Sequence, residues 1–230
     1  MWIGVPDSFL SLNSQAYHII LKHIIVADFR PGQRLSEKEL MDKLQMGRTP
    51  VREALLRLRQ EGLISVVPQS GTYVAKIDIK VANSARFIRE SIETRIICES
   101  AQLTITPPEQ AEFTYILQNQ KFYKEQKQYR KFFREDDNFH KKFYQLTNHQ
   151  QVWDWLQTIN MQLNRFRMLS LQDEDLPWER LIRQHQQILD TVKNHDASAA
   201  QNLITEHLRI MLVEQKRLKA KFPEYFEQTN

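Results

Sequence analysis

Three histidines and an aspartate in the C-terminal half have the residue types and spacing of a metal site. Asp136 and His140 are four residues apart, so both lie on one face of a helix. His185 and His207 each fall in the middle of an apolar stripe, in ERLIRQHQQILDTV and NLITEHLRIM. Three imidazoles and a carboxylate predict a divalent metal site, and the nitrogen-rich set favours zinc or nickel.

The helices that carry these histidines would bring them together. If the last two form an antiparallel hairpin that turns near 194–196, a rise of about 1.5 Å per residue puts His185 and His207 at nearly one level. A third helix with Asp136 and His140 would complete the site inside a bundle. Alternatively, each residue is a core side chain bonded to its own neighbour. Four buried polar groups without a shared partner would, however, cost several kcal/mol.

A second cluster of chemistry lies in the segment GRTPVREALLRLRQEGLI, residues 47–64. Val51, Ala54, Leu55 and Leu58 form the apolar face of one helix, while Arg48 and Arg52 share another face near its start. Arginine there can bind guanine bidentately or hold phosphates, because a helix reads the major groove with its first turns. Taken alone, such a helix is more often a solvated surface. Arg57 and Arg59 lie further along it, where contact with the DNA backbone and plain solvation are equally good interpretations.

The neighbouring elements make DNA reading the better interpretation. Apolar spacing predicts a first helix over 14–26, and Ser36 with Glu39 is a capping box that starts a second. Pro50 in the first turn and Gly62 at the end bound the third helix. LISVVPQSGTYVAKI then reads as two strands around a turn. Together these elements predict a winged helix-turn-helix.

The rest of the chain predicts helices only. All five glycines lie in the first 71 residues, so the later part has little use for left-handed turns. The fold class is therefore mainly α, with a winged helix-turn-helix at residues 1–77, a linker at 78–84 and an all-helical antiparallel bundle at 85–222. We expect about six helices in that bundle, at 84–104, 109–127, 129–147, 150–170, 176–194 and 196–221.

Composition excludes several classes. No run of about 18 apolar residues exists, and Asp7 stands where a signal peptide would be basic, so we expect a cytoplasmic protein without a membrane partner. The single cysteine, Cys98, permits no internal disulfide and no zinc site of the CxxC type. A net charge of +4 does not by itself identify a nucleic-acid binder.

The stretch RPGQRLSEKELMDKLQMGRTPVREALLRLRQEGLISVVPQSGTYV resembles the GntR-type DNA-binding domain, whose signatures include R-T-P-V-R-E-A-L-x-x-L-x-x-E-G-L. The family usually has Ser or Thr where this chain has Gly47, which has no hydroxyl for a phosphate. The resemblance implies base or phosphate contacts by six residues: Lys38, Arg48, Thr49, Arg52, Ser70 and Gly71.

The C-terminal part resembles the FCD effector domain that accompanies such heads, through D-x-x-F-H at Asp136 and the motifs around His185 and His207. The resemblance implies that Asp136, His140, His185 and His207 are metal ligands. It also implies that Arg89, in R-x-x-I-E, points inward and binds the carboxylate of an effector. The chain departs from the family at Asn148 and His149, where Gly-Asn is common.

The leading hypothesis is a ligand-responsive transcriptional regulator, a repressor of a metabolic operon. It would bind double-stranded DNA as a homodimer on a two-fold-related operator, because one short helix reads only a few base pairs. The effector would be a small carboxylate at or near the metal. Two alternatives stay open: a metal-sensing regulator, and an all-α metalloenzyme with a DNA-binding head, for which Glu93 is a candidate base. The absence of a convincing base beside the cluster favours a protein that is not an enzyme.

Overall fold

The computed structural model describes residues 11–173 and 175–228, and the chain folds as two units. One unit holds the residues up to 79 together with those from 219 onward, and the other holds residues 80–218. The expectation that no signal peptide is present rests on residues 1–10, which lie outside the described ranges.

The first unit is the predicted winged helix-turn-helix. Its elements are α1 (Leu12–Ile25), β1 (Arg34–Leu35), α2 (Glu37–Leu44), α3 (Arg48–Gln60), β2 (Ile64–Val67) and β3 (Gly71–Val74). The antiparallel sheet has the order β1-β3-β2, in which β2 and β3 are the predicted hairpin. Strand β1 is an addition that sequence reasoning missed, because two residues are too few to show alternation.

Local signals set the ends of α2 and α3. The Ser36 hydroxyl accepts the N–H of Glu39 at 3.4 Å, as expected of an N-cap residue. Gly47 caps α3 in an extended conformation but offers no side-chain acceptor. Gly62 ends that helix with a φ of +70°, which glycine adopts without steric strain. The apolar face of α3 packs on α1, so its arginine face points away from this core.

Within residues 79–173 and 175–228, the structure has eight α-helices, where the sequence predicted six. The mainly α fold class is confirmed, and α4 already begins at Ile79, so the segment expected as a linker at 78–84 is largely helical. The helices are α4 (Ile79–Ser100), α5 (Pro107–Glu125), α6 (Tyr129–Leu146), α7 (Gln150–Ile159), α8 (Met161–Gln172), α9 (Trp178–Lys193), α10 (Ala197–Leu208) and α11 (Ile210–Lys221).

Two predicted helices are each divided in two. The helix predicted at 150–170 breaks at Asn160, whose backbone (φ −80°, ψ 4°) ends α7 and precedes α8. The helix predicted at 196–221 breaks at Arg209, whose N–H lies 3.2 Å from each of two carbonyl oxygens. Apolar periodicity continues through both breaks, so the sequence pattern did not show them.

Aromatic packing holds the bundle at the level of the predicted site. Phe113 of α5 lies between Phe139 and Phe143 of α6, with ring centroids 5.7 and 4.7 Å away. Phe139 in turn stacks on His185 of α9 at 4.3 Å. The core therefore fixes α6 and α9 relative to each other where the metal ligands were expected.

Candidate metal centre and nucleic-acid interface

The four candidate ligands converge in the core of the bundle. One ligand atom from each of Asp136, His140, His185 and His207 lies within 4.8 Å of the others, and all four residues are buried. Helix α6 supplies the first two from adjacent turns, while the α9–α10 hairpin supplies His185 and His207. The predicted convergence is confirmed; metal binding stays a prediction.

Hydrogen bonds around the cluster determine which ring nitrogens carry hydrogen. The amide nitrogen of Gln120 donates to the Glu135 carbonyl, so its Oε1 accepts from His185 Nδ1 at 2.9 Å. The amide of Gln184 donates to Glu206 in the same way, and its Oε1 lies 3.3 Å from His207 Nδ1. Both rings must therefore carry hydrogen on Nδ1, which leaves Nε2 as a lone pair.

His140 is held by an acid in place of an amide. Its Nδ1 bonds to one oxygen of Glu93, whose other oxygen accepts from Arg89 Nε at 2.8 Å. Glu93 is 0% exposed and its carboxylate is already engaged on both sides, which argues against the role of general base considered from the sequence. The His140 Nε2 atom has no hydrogen-bond partner among the described residues.

The donor set fits a cation. The Nε2 atoms of His185 and His207 are only 3.3 Å apart, and with both protons on Nδ1 this contact opposes two lone pairs. The Nε2 atom of His185 is also 3.6 Å from Asp136 Oδ1, and that of His140 is 3.7 Å from Asp136 Oδ2. Three lone pairs and a carboxylate that share one small space suit a divalent ion of the zinc or nickel type.

Protonation favours the same arrangement. Burial lowers the pKa of His185 and of His207 to about 3, and it lowers the pKa of His140 well below its ordinary value. Burial opposes ionisation of Asp136, but the adjacent Arg167 guanidinium holds the pKa of that carboxyl below its ordinary value. At neutral pH the cluster thus contains neutral imidazoles and an ionised carboxylate, the forms that bind metal.

Arg89 points inward as predicted, and its binding to an effector carboxylate stays a prediction. It is 2% exposed and bonds to Glu93. The partner of Asp136 is Arg167 of α8, which also lies 2.9 Å from Asp137 Oδ1. Sequence reasoning missed Arg167, although a cation within the apolar stretch RFRMLSL was the available signal.

A cavity of about 80 Å³ adjoins the cluster within the second unit. Its wall includes the candidate ligands Asp136 and His207 and the arginines Arg86, Arg89 and Arg167. Such a volume holds several water molecules, since one needs about 10–15 Å³. The space beside the candidate ligands can therefore admit a small molecule.

The first unit presents its predicted reading face outward. The side chains of Arg48 and Arg52 are 67% and 58% exposed, and Lys38 and Thr49 are exposed as well. Glu37 lies between the two arginines, with its oxygens 3.6 and 3.3 Å from their Nε atoms. A surface ion pair of this kind contributes at most about 1 kcal/mol, so the arginines can exchange Glu37 for DNA.

The turn of the wing places Ser70 and Gly71 together. Ser70 is exposed and its hydroxyl lies 2.6 Å from the Tyr73 hydroxyl. Gly71 has a φ of +139°, a backbone conformation that favours glycine, and a Cβ there would lie 2.9 Å from Nε of the Arg34 side chain. Arg34 thereby joins the wing through β1, a cation that sequence reasoning did not assign to this surface.

Two family models match the chain. The model described as "FCD domain" matches residues 86–210, and the model described as "Bacterial regulatory proteins, gntR family" matches residues 12–74. The chain belongs to the GntR family. The resemblance of both parts is thus confirmed, and this GntR-family protein is a DNA-binding transcriptional regulator.

Curated relatives agree with this assignment. The HTH-type transcriptional repressor RspR of Escherichia coli strain K12 is 32% identical over 217 residues, which is 94% of each chain. An HTH-type transcriptional regulator of Streptomyces ambofaciens is 31% identical over 203 residues, or 88% of this chain and 84% of the relative. Because the relatives are regulators, the metalloenzyme alternative finds no support.

Solved structures share the fold. E. coli McbR/YncC superposes with a TM-score of 0.75 at 21% identity, over 93% of this chain and 100% of the other. A GntR regulator from Rhodococcus sp. RHA1 gives 0.69 at 20% identity, over 90% of this chain and 98% of the other. Within the described ranges, no helix has the length and apolar character to span a membrane.

Proposed function

We propose that this GntR-family regulator is a cytoplasmic repressor of a metabolic operon that a small carboxylate effector releases from DNA. The observation that carries the proposal is the cavity beside the buried histidine cluster, because three arginines line it. Guanidinium is the side-chain group best suited to hold a carboxylate. We propose repression in place of activation because the relative RspR is named a repressor.

Asp136, His140, His185 and His207 would hold the metal, and Gln120, Gln184 and Glu93 would orient the three imidazoles. A divalent ion, zinc or nickel, would supply positive charge for an effector carboxylate at this end of the cavity. Arg89 contributes to the same end through its guanidinium. These roles require the ligand rings to be neutral, as burial makes them.

On the DNA, Arg48, Arg52 and Thr49 of α3 would contact base edges and phosphates in the major groove. Lys38, Ser70 and Gly71 would contact the backbone, from the start of α2 and from the wing. One such head reads only a few base pairs, so a homodimer on a two-fold-related operator supplies the specificity that a genome demands.

The chain suggests how the cavity influences the heads. It passes between the two units at 79–80 and at 218–219, within α4 and within α11. Both helices also line the cavity, α4 through Arg86 and Arg89 and α11 through residues such as Met211. A ligand that binds differently to two arrangements of these helices would therefore shift the DNA-binding unit.

An amide pair ties the two crossing helices together. Asn83 Nδ2 donates to Gln215 Oε1 at 3.4 Å, and Gln215 Nε2 donates to Asn83 Oδ1 at 2.5 Å. The pair lies along the chain between the unit boundary and the cavity-lining residues on both helices. It would make α4 and α11 respond as one element.

One second candidate has specific support. The Nε2 atom of His140 lacks a partner among the described residues, so an ion alone would complete the cluster. A metal-sensing regulator would use that change as its signal. In this case metal removal would alter operator affinity and no organic acid would do so.

The test starts with an operator selected from random DNA by the full-length protein. Fluorescence anisotropy then measures operator affinity with zinc or with chelator, each with and without a panel of carboxylic acids. A carboxylic acid that weakens operator binding only in the presence of zinc supports the proposal. An effect of chelator alone supports the metal sensor, and no effect of either contradicts both.

A further inference from the structure

The cavity beside the candidate metal ligands has a few polar residues and many apolar ones in its wall. The polar residues include Arg86, Arg89, Arg167 and the candidate ligands Asp136 and His207. The remaining wall is almost entirely carbon. Its apolar residues include Phe133, Leu163, Phe166, Leu176, Leu181 and Met211.

Two guanidinium N–H groups on neighbouring turns of α4 have no acceptor within the part of the chain that the structure describes. They are Arg86 Nε and Arg89 Nη2, and both atoms are buried. Each arginine uses another nitrogen for its ion pair, Arg86 with Glu90 and Arg89 with Glu93. Leaving buried donors unsatisfied costs about 1–3 kcal/mol each, so an acceptor on a ligand would remove that penalty.

The acid that pairs with Arg86 is shared with a second arginine. The Glu90 carboxylate is shared by Arg86 and Arg209, so two guanidinium groups face one acid. Arg167 differs, because it already bonds Asp136 and Asp137 and lies over the Phe133 ring at 4.4 Å. The two arginines of α4 are therefore the ones that can hold a ligand carboxylate.

Apart from the candidate metal ligands and Arg167, whose charge Asp136 and Asp137 already balance, the cavity wall offers no partner for a second carboxylate. Glu214 lines the wall as an acid and is paired with Arg217, while Ser170 supplies a single hydroxyl. A second carboxylate would lie against carbon or near Glu214, and burying an unpaired charge is far costlier than burying a methyl group. The hydroxyl groups of a polyhydroxy acid would lose their hydrogen bonds to water in the cavity without gaining hydrogen bonds to its wall.

We infer that the effector is a monocarboxylate with a compact apolar body, held by Arg86 Nε and Arg89 Nη2, and that Arg86 is a specificity-determining residue. The inference rests on the proposed function, since it names the chemical class of the effector for the same cavity. Dicarboxylates and polyhydroxy acids are the classes that this wall rejects.

Calorimetric titration of the full-length zinc-loaded protein tests the inference with three acids of equal chain length: butyrate, succinate and 2,3,4-trihydroxybutyrate. Butyrate is expected to bind at least tenfold more tightly than the other two, with a negative heat-capacity change from apolar burial. Equal affinities, or tighter binding of succinate or of the trihydroxy acid, overturn it.

Two variants locate the contacts. Arg86→Met keeps the length of the side chain but removes its donors, so butyrate affinity should fall about tenfold or more. Arg95→Met on the same helix is the matched control, because Arg95 is 77% exposed and outside the cavity. Met211→Gln places an amide on the apolar wall. The ratio of butyrate affinity to trihydroxybutyrate affinity should therefore be smaller in this variant.

Operator binding separates this inference from the proposed function. If succinate or the trihydroxy acid is the tightest ligand and also releases operator, the proposed function stands and the monocarboxylate inference fails. If none of the three acids binds, the monocarboxylate inference fails, whereas the proposed function fails only if no acid of the wider panel changes operator affinity. A loss of butyrate binding in Arg95→Met equal to that in Arg86→Met removes the assigned role of Arg86.

Discussion

The chemistry of the histidine cluster depends on residues that are not ligands. Two glutamines and one glutamate hold the Nδ1 atoms, and each is itself fixed by a further hydrogen bond. Reversing either glutamine amide would place its oxygen against the oxygen that it now donates to, the Glu135 carbonyl or the Glu206 carboxylate. Ring orientation is therefore set before any ion arrives, which lowers the cost of assembling the site.

Replacing Gln184 should weaken metal binding without touching a ligand. In Gln184→Leu, His207 Nδ1 loses its acceptor, and zinc affinity should fall about 10- to 100-fold. Competition with a chromophoric chelator measures the change. Gln186→Leu is the control, because Gln186 is exposed on the same helix and bonds only to Asp190 in the hydrogen bonds described. Equal zinc affinities in the two variants would show that the Gln184 bond does not tune the site.

Arg52 provides the corresponding test on the DNA side. Arg52→Ala should cost about 1–3 kcal/mol of operator binding if the side chain reads a base. The melting temperature should hardly change, because the side chain is 58% exposed. Arg95→Ala removes the same charge from an exposed site in the other unit and controls for net charge. Operator affinity in Arg52→Ala equal to that of this control would contradict the assigned reading face.

At the scale of elements, the recognition helix owes its position to its buried face. Val51, Ala54 and Leu58 are at most 1% exposed. Tyr17 of α1 donates to Glu61 just after α3 at 2.7 Å, and Arg57 lies over the Tyr17 ring at 3.7 Å. Arg57 therefore helps to join α1 to α3.

The same substitution at two glycines around α3 should have opposite effects. Gly47→Ser adds a capping hydroxyl at an extended residue where a Cβ would meet only Pro50 at 4.0 Å, so stability should rise by a few tenths of a kcal/mol. Gly62→Ser forces a side chain onto a φ of +70° and should lower stability by about 1 kcal/mol. Urea unfolding measures both, and a gain at Gly62 or a loss at Gly47 would contradict the capping geometry.

At the scale of the whole molecule, the residues that follow α11 belong to the DNA-binding unit. After α11, Phe226 is 2% exposed and pairs as a parallel bridge with Ile77. The Ile77 N–H donates to the Tyr225 carbonyl at 2.8 Å, and the Glu227 N–H donates to the Ile77 carbonyl at 3.1 Å. The DNA-binding unit thus holds both the start of α4 and the residues that follow α11.

Removing the Asn83–Gln215 amide pair between α4 and α11 should leave operator binding intact but weaken the effect of the effector on it. The double variant Asn83→Leu, Gln215→Leu removes both partners, so it leaves no unpaired polar group from the pair. Zinc binding and effector-free operator binding should persist, whereas the change in operator affinity on adding acid should shrink severalfold. Lys216→Ala, at an exposed neighbour, is the control. An undiminished response in the double variant would place the coupling elsewhere.

The sequence by itself determined the features that depend on neighbours along the chain. The capping of α2 by Ser36, the arginine face of α3 and the left-handed residue Asn148 after α6 follow from contacts three or four residues apart. The level of His185 and His207 followed from a short hairpin. Family resemblance extended this to the ligand set, because its motif letters mark the same four positions.

Only the tertiary structure decided what surrounds those residues. Gln120 meets His185 across 65 positions, and Arg167 meets Asp136 across 31. Such contacts depend on the packing of several helices, and the apolar periodicity of the sequence does not predict them. The same reason applies to the cavity, whose carbon wall comes from α6, α8, α9 and α11, and to the return of Phe226 beside Ile77. Local patterns set each helix face, whereas helix packing sets which faces share a space.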